Sequence, residues 1–452
     1  MKRTFAVALT GAALVLSGCG GGSDSSNSSS TAAGSTSTTS AAGDTTSAAG
    51  SSSGAAPATL GTKDTDAKRD ANADLVIWSD ATTAPVITKL ANDFASKNGV
   101  KVAVQISNDV RGQYGTAFKA GQAPDVIVGA HDWMGELVAN GSIATLQVPA
   151  NVLAGFNPSA AAASKYNNQT YAVPYGVESL ALVRNTALAP TAPKTMDELV
   201  KAGKDCIAAK KCTNILSNQM GKDGNAYNGY PFLSAFDGGG IFGTKANGDY
   251  DASKVIVNSA GSIKGAEAMA ALGKEGALST NIDSTNADTL FQTGKTPFEM
   301  TGPWSIPAFQ KAGIKYSIDP LPTLAGGGAM KPFLGVQMFY VSSKAKNATV
   351  AQAFVTQYMT TKDAQVAMFE TGKRPPALTA AYDQVKGTDK DVAGWAAAAK
   401  DGKPMPNIPA MNAVWKPLGL AFADIISGKG GTPAARMQKA QTEIEAGIKS
   451  GS

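Results

Sequence analysis

The sequence predicts an α/β fold with a parallel sheet, because short apolar strands alternate with amphipathic helices. The run LVIW at residues 75–78 and the alternating pattern at residues 100–106 each indicate a strand. Between them, Pro85 begins a helix whose apolar residues recur at every fourth position, and this helix ends at Asn98-Gly99. Strand–helix–strand order places such strands parallel with right-handed crossovers, so we expect a folded domain from about Ala73 onwards.

A third strand, PDVIV at residues 124–128, runs directly into the segment GAHDWMG at residues 129–135. Ligands of parallel sheets bind outside the carboxyl ends of the strands, which predicts a ligand site at this segment. Asp132 is a good acceptor for ligand hydroxyls at such a junction. His131 is the one histidine of the chain, and we expect it to bond backbone near the strand end, because adjacent side chains seldom face each other as a catalytic pair.

Composition excludes several classes of function. The chain has 452 residues, enough for two to three domains, and its net charge of +5 without a dense Lys/Arg run does not indicate a nucleic-acid partner. A single histidine excludes zinc sites built on several imidazoles. The sequence has no nucleophile elbow, phosphate loop or Cys-x-x-Cys pair, so we predict no catalytic residue, no metal and no cofactor.

The N-terminus indicates export. Residues 1–18 have a basic start and a short apolar run, which is too short to span a bilayer as a mature helix. The motif LSGC, which ends at Cys19, resembles a bacterial lipobox and predicts that Cys19 is lipidated; a plain secretory signal with an incidental cysteine is the alternative. Residues 19–72 are rich in Gly, Ser, Thr and Ala and predict a flexible tether that is anchored outside the cytoplasm.

Cys206 and Cys212 are the remaining cysteines. An even pair outside the cytoplasm favours a disulfide, although two free buried thiols are the alternative. One continuous helix would hold them too far apart, so a bridge requires a helix end or a turn between them.

Acids and aromatic residues make up the candidate ligand site. Glu178 lies in the otherwise apolar run YGVESLAL, so it needs a buried partner or faces a cleft. Aromatic rings stack on the apolar faces of sugars while carboxylates accept their hydroxyls, which favours a carbohydrate site. Two acids could also form a glycosidase pair, and that alternative stays open. The aromatic residues beside turn residues are Trp133, Tyr227, Tyr230, Trp304 and Trp415.

From about Leu75 to Lys449 the chain resembles the maltose/maltodextrin-binding proteins of ABC importers. The stretches that carry the resemblance are ADLVIWSD, DFASKNGVKV, APDVIVGAHDWMGELVANGSIATL, YAVPYGVESLALVRNTAL, APKTMDEL, MTGPWSI, LPTL followed by KPFLGV, and MPNIPAMNAVW. The resemblance implies a two-lobe periplasmic-binding-protein-like α/β fold with a ligand cleft between the lobes and crossover hinge segments. It places the N-terminal lobe at residues 73–176 plus about 333–380, and the C-terminal lobe at 177–332 plus about 381–452.

The resemblance also implies a function and residue roles. It implies a monomeric receptor, not an enzyme, that binds malto-oligosaccharide and delivers it to the permease subunits of an ABC importer. By motif position, Asp132 and Glu178 would bond sugar hydroxyls. The rings that would stack on glucose are those of Tyr227, Trp304 and Trp415, and Tyr230 is a further aromatic position.

Several positions depart from the family pattern. Gly129 replaces a tryptophan, Trp133 replaces an arginine, Asn225 replaces an acid, and the lysine expected after the first strand is missing from SDATTAP. We expect Asp80, Asp109 and Arg111 to take over polar contacts, and the site to rely more on stacking. The hypothesis is a preference for longer or cyclic α-glucans over maltose. The alternatives are another sugar, such as trehalose or sucrose, or a surface glycoside hydrolase.

Overall fold

The computed structural model describes residues 59–60, 68–107, 109–246 and 248–451. The predicted signal peptide, Cys19 and most of the predicted tether lie outside the described residues. The strands are β1 (Thr59–Leu60), β2 (Leu75–Ser79), β3 (Val102–Ile106), β4 (Val126–Ala130), β5 (Lys165–Tyr166), β6 (Gln169–Thr170), β7 (Ala172–Glu178), β8 (Ala181–Asn185), β9 (Ser217–Asn218), β10 (Phe242–Thr244), β11 (Tyr250–Val255), β12 (Phe298–Thr301), β13 (Tyr316–Asp319), β14 (Phe333–Val341) and β15 (Lys403–Pro404).

Helices connect and cover these strands. The α-helices are α1 (Ala84–Asn98), α2 (Val110–Lys119), α3 (Met134–Ala139), α4 (Ala150–Leu153), α5 (Pro158–Ala163), α6 (Met196–Ala208), α7 (Ala226–Ser234), α8 (Ala260–Lys274), α9 (Ala287–Gln292), α10 (Ile306–Lys311), α11 (Ala348–Ala353), α12 (Lys362–Gly372), α13 (Thr379–Val385), α14 (Lys390–Ala399), α15 (Trp415–Ile426) and α16 (Pro433–Ser450). Short 3-10 turns lie at His131–Trp133, Pro303–Ser305 and Pro409–Ala413, and a π-helical turn lies at Phe354–Tyr358.

The first sheet has the order β1-β3-β2-β4-β14, and β7 and β15 also pair with β14. β1, β2, β3 and β4 are parallel, as the strand–helix pattern predicts. β14 runs antiparallel to β4 and β7, so the sheet as a whole is mixed, while the three strands that the sequence predicts to be parallel are parallel. β14 follows the strands of the second sheet in the sequence and then joins the first sheet. Because it pairs there in the antiparallel direction, it does not need the helical crossover that connects successive parallel strands.

The second sheet has the order β13-β8-β12-β9, in which β8 is antiparallel to both of its neighbours. Each sheet has its own apolar core: Leu75 and Phe339 lie in the first, whereas Leu182 and Phe298 lie in the second. The molecule is therefore an α/β protein with two lobes. We call them the first lobe (the sheet with β2, β3, β4 and β14) and the second lobe (the sheet with β8, β9, β12 and β13). The predicted residue boundaries of the lobes stay a prediction.

The folded part of the chain begins earlier than Ala73, where the sequence analysis places it. Arg69 is buried, and its Nη2 lies 2.7 Å from Oδ2 of the buried Asp125, at the start of β4. The same oxygen accepts the backbone N–H of Val76 at 2.8 Å. A buried carboxylate needs such partners, so residues 68–72 belong to the first lobe and not to a free tether.

A disulfide joins Cys206 and Cys212, with 5.6 Å between their Cα atoms. Helix α6 ends at Ala208, and Lys210 has a left-handed φ of 55°, which turns the chain back. The helix end that the sequence requires between the two cysteines is therefore present.

His131 holds together three segments that are distant in the sequence. Its Nδ1 accepts the backbone N–H of Val336 on β14 at 3.1 Å, so Nε2 carries the proton and donates to the carbonyl oxygen of Met405 at 2.9 Å. Burial lowers the pKa of this imidazole, although the Asp132 carboxylate opposes the shift. The expectation that His131 is a scaffold residue bonded to backbone is confirmed.

No helix among the residues that the structure describes combines the length and the apolar character needed to cross a bilayer.

The stability of the fold should depend on the protonation of His131. In the unfolded chain the His131 imidazole has its ordinary pKa of 6.5, whereas in the folded protein burial lowers this pKa and the ring stays neutral. The contribution of neutral His131 to the free energy of unfolding is therefore complete above pH 6.5. It is lost as the pH falls below this value, by up to about 1.4 kcal/mol per pH unit. Urea unfolding of the wild type and of His131→Gln between about pH 8 and pH 5 measures the difference in slope.

We expect His131→Gln to be less stable at high pH but to lose less stability on acidification. Because the chain has one histidine, no other imidazole adds to this slope. Parallel pH profiles for the two proteins would contradict the assignment.

Candidate functional site

A buried acid and an arginine form the polar part of the candidate site on the first lobe. Asp132 lies in the 3-10 turn that follows β4 and is 4% exposed, and its Oδ2 accepts from Nη1 of Arg111 at 3.2 Å. Arg111 projects from α2 and also pairs with Glu136 on α3 at 2.8 Å. Burial raises the pKa of Asp132, and the Arg111 guanidinium acts against this rise. The structure thus brings together two predicted site residues.

The same arginine reaches the chain segment that carries Trp415. Its Nη2 donates to Oδ1 of Asn412 at 3.3 Å, and Asn412 lies in the 3-10 turn that precedes Trp415. Trp415 begins α15, is half-buried and packs against the second core. Its indole nitrogen is buried without a partner among the residues that the structure covers.

Glu178 lies at the end of β7, and β8 of the second lobe begins at Ala181, so its carboxylate is at the junction between the lobes. Oε2 accepts from Nε of Arg374 at 2.5 Å, and Oε1 accepts from Nε2 of Gln337 at 2.8 Å. The sequence left open whether Glu178 has a buried partner or faces a cleft. It has two partners, and both come from parts of the chain that the sequence analysis did not single out.

Two of the predicted aromatic residues meet on the second lobe. The ring centroids of Tyr227 and Trp304 are 6.3 Å apart at an interplanar angle of 53°. Burial raises the pKa of the Tyr227 hydroxyl well above its usual value, and the Glu178 carboxylate raises it further. The Asp132 carboxylate also raises the pKa of Tyr227. The hydroxyl itself is buried and has no partner in the described part of the chain.

Each lobe presents a tryptophan that covers a glycine. A Cβ added at Gly129 would lie 1.9 Å from the Trp133 ring, and one added at Gly302 would lie 2.1 Å from the Trp304 ring. Both glycines are located at the end of a strand, just before a 3-10 turn. Trp133 therefore fills the volume that a side chain at position 129 would use. The two departures from the family pattern, Gly129 and Trp133, thus depend on each other, because the Trp133 ring fits only beside a glycine.

Other predicted residues have local roles. Tyr230 is 4% exposed, and its ring stacks on Phe333 with 3.5 Å between centroids; Phe333 also lies 6.3 Å from the Tyr227 ring, so Tyr230 is a buried core residue behind the other aromatic rings. Asp80 accepts the backbone N–H of Thr82 at 2.7 Å and so closes the turn after β2. Asp109 caps α2 by accepting the N–H of Gly112, and Asn225 caps α7.

Arg374 is a candidate site residue that the sequence did not predict. It is 8% exposed, and its guanidinium carbon lies 5.8 Å from the centre of the Trp304 ring. Burial works against its charge, but the nearby Glu178, Tyr175 and Asp80 outweigh it and raise the pKa of Arg374. No local signal identifies this residue, because KRPP reads as a polar turn.

Two cavities lie beside the candidate site residues. One of about 420 Å³ is lined by Glu178 and Trp395, and one of about 1000 Å³ is lined by His131 and Tyr230. Asp132, Tyr227 and Trp304 do not line either of these two cavities, and the Tyr227 and Trp304 side chains are half-buried. Among the described residues, no group of three or more His, Cys, Asp or Glu is arranged to hold a metal ion.

Comparison with known proteins matches the chain to one family. The model of the family described as bacterial extracellular solute-binding protein matches residues 89–400. A galactooligosaccharide-binding protein of Bacillus subtilis is 27% identical over 401 residues, which are 85% of this chain and 92% of the relative. A maltooligosaccharide ABC transporter solute-binding lipoprotein of Streptococcus pneumoniae is 26% identical over 384 residues, 82% of this chain and 88% of the relative.

A maltotriose-binding protein of Pyrococcus abyssi is 26% identical over 382 residues, which are 82% of this chain and 81% of the relative. All three names describe binding proteins. Because the family match covers more than half of the sequence, the chain belongs to the bacterial extracellular solute-binding protein family.

Proposed function

We propose that this protein is the receptor of an ABC importer for neutral oligosaccharides, with malto-oligosaccharides as the preferred class. The observations that carry the proposal are an acid–arginine pair on the first lobe, Asp132 with Arg111, and a ring pair on the second lobe, Tyr227 with Trp304, whose Trp304 ring lies 5.8 Å from the Arg374 guanidinium. Aromatic faces cover the C–H faces of a sugar ring, while a carboxylate with a cation beside it takes adjacent hydroxyls. The acid comes from the first lobe and the rings come from the second, so closure around a sugar would engage both.

The charges support a neutral ligand. Arg111 is shared between Asp132 and Glu136, and Arg374 pairs with Glu178. Within this group of five side chains two cations therefore face three carboxylates, so the group itself has no excess positive charge for a phosphorylated or acidic sugar. An anionic ligand would have to displace these ion pairs, which is costly in a buried site.

Relatives named for maltooligosaccharide and maltotriose support the malto-oligosaccharide class. The tryptophan pair of Trp133 and Trp304, one on each lobe, supports the preference for chains longer than maltose, because each additional ring offers another face to stack. A relative named for galactooligosaccharide makes that class the second candidate.

The proposal includes the location and partners of the protein. We infer a monomer that is anchored to the outer face of the cell membrane through lipid on Cys19 and that delivers sugar to the permease subunits. It does not change the sugar. The LSGC motif supports the anchor, and the binding-protein names of the relatives support the absence of an enzymatic activity.

Titration calorimetry tests the ligand class. The chain without residues 1–19 is titrated with maltose, maltotriose, maltoheptaose, a cyclodextrin, a galacto-oligosaccharide, trehalose and sucrose. We expect saturable binding that is tightest for a malto-oligosaccharide longer than maltose, and chromatography should recover the sugar unchanged. Tightest binding to maltose would contradict the length preference. Tightest binding to the galacto-oligosaccharide would contradict the class, and product formation would show a hydrolase.

Substitutions test the residues. Trp304→Ala should weaken sugar binding by about 1–3 kcal/mol, because a stacked ring buries apolar sugar surface. Asp132→Asn should weaken binding by about 1.5–3 kcal/mol, the usual range for a hydrogen bond to a charged group. The matched controls are Tyr358→Ala, a half-buried ring on the first lobe, and Asp319→Asn, the partner of Arg184 in the second lobe. Unchanged affinity in the first two variants, or equal losses in the controls, would remove these residues from the site.

Membrane fractionation tests the anchor. Cys19→Ser should move the protein from the membrane fraction to the soluble extracytoplasmic fraction, because the thiol that carries the lipid is gone. Ser26→Ala, in the predicted tether, is the control and should stay with the membrane. Membrane retention of Cys19→Ser would overturn the lipid anchor but not the sugar site.

A further inference from the structure

Arg374 is held in place by an ion pair at the junction of the two lobes. Its Nε donates to Glu178 at the end of β7, and Glu178 in turn accepts from Gln337 on β14. The turn after α12 carries Arg374, and a left-handed residue, Lys373, precedes it with φ of 58°. The guanidinium plane therefore has little freedom to reorient.

Part of this guanidinium is not satisfied by the protein. Nη1 of Arg374 is buried and has no hydrogen-bond partner in the part of the chain that the structure describes. The hydroxyls of Tyr175 and Tyr227 are in the same situation. Tyr175 lies on β7, the strand that carries Glu178, and Tyr227 contacts Trp304, the ring beside the Arg374 guanidinium; the Arg374 and Glu178 charges both affect the pKa of each tyrosine. Buried polar groups in folded proteins are nearly always bonded, which indicates that acceptors are missing here.

Another buried arginine of the same chain shows what a purely structural ion pair looks like. Arg184 is 6% exposed and pairs with Asp319 through Nε at 2.7 Å, much as Arg374 pairs with Glu178. Its Nη1, however, donates to the carbonyl oxygens of Ala189 and Pro190 at 2.7 and 2.9 Å. Among the described residues the corresponding nitrogen of Arg374 has no such acceptor, although Arg374 is only 8% exposed.

The position of Arg374 indicates what the missing acceptor is. Its guanidinium lies 5.8 Å from the centre of the Trp304 ring, the ring on which the proposed function places a sugar. A sugar beside that ring offers hydroxyl and ring oxygens at the edge of its stacked face. Because Glu178 already neutralises the arginine, the preferred acceptor is a neutral oxygen and not an anion.

We propose that Arg374 contacts the ligand directly, with its free Nη1–H donating to a hydroxyl or ring oxygen of the sugar unit at Trp304, and that Tyr175 adds a second donor to the same unit. Glu178 then acts as a positioning residue that aims the guanidinium, and not as the main acceptor of sugar hydroxyls. This inference rests on the proposed function and names the residues that select a neutral, hydroxyl-rich unit at this position.

The test compares two conservative variants by calorimetry with maltotriose and with a β-galactotriose as probes. Arg374→Lys keeps the charge but loses the planar set of donors, and Arg184→Lys is the matched control in the second lobe. We expect Arg374→Lys to weaken binding about tenfold to hundredfold, the loss typical of one charge-assisted hydrogen bond, whereas Arg184→Lys leaves affinity unchanged. Thermal melting establishes that both variants are folded.

Ligand analogues separate contact from structure. Singly deoxygenated forms of whichever trisaccharide binds should include one to which the wild type and Arg374→Lys bind with equal affinity, because the acceptor is already absent. If Arg374→Lys fails to fold, the double variant Arg374→Gln/Glu178→Gln removes both charges and should show the same pattern.

The possible results distinguish two kinds of failure. A wild-type protein that binds neither trisaccharide would overturn the proposed function, and this inference with it. A wild type that binds while the folded Arg374 variant binds equally well would overturn this inference alone. A uniform loss across all deoxygenated analogues would make Arg374 a structural residue.

Discussion

The buried ion pair between Glu178 and Arg374 is the constraint on which the centre of the molecule depends. A carboxylate and a guanidinium in a protein interior require close geometry, since neither tolerates the loss of its partner. The chain meets this requirement with close backbone approach. A Cβ on Gly335 would lie 2.9 Å from the Glu178 side chain, and a Cβ on Gly176 would lie 2.9 Å from Arg374. A larger residue at Gly335 would displace the Glu178 side chain, and one at Gly176 would displace Arg374.

The ion pair also connects the scaffold to the candidate site. Gln337 fixes one oxygen of Glu178, and β14, which carries Gln337, also bonds to His131 through Val336. His131 directly precedes Asp132, so the buried acid is held by the same strand that orients the arginine. Backbone and side-chain bonds to β14 therefore hold the polar residues of the candidate site in place. Trp304 of the second lobe approaches them, with its ring 5.8 Å from the Arg374 guanidinium.

The two tryptophan–glycine pairs show how the site differs from the pattern of the proteins that it resembles. At position 129 a glycine replaces the family's tryptophan and at position 133 a tryptophan replaces its arginine, yet the Trp133 ring covers the backbone of position 129. A ring can thus stay near one place when its attachment point moves along a helical turn. Arg111 meanwhile approaches Asp132 from a different helix, which returns a cation to the side of that acid.

The sequence by itself determined the features that depend on neighbouring residues. Periodicity located β2, β4 and α1, the Cys206–Cys212 spacing called for a helix end, and the single His131 after a strand indicated a backbone-bonded scaffold. Tertiary structure alone decided which distant side chains meet. It buried Tyr230 against Phe333 and made the first sheet mixed through β14. It also brought Arg374 to Glu178, from which it is separated by 196 positions in the sequence. Local propensity and spacing carry no information about such contacts, because burial and charge pairing are satisfied only when the whole chain has folded.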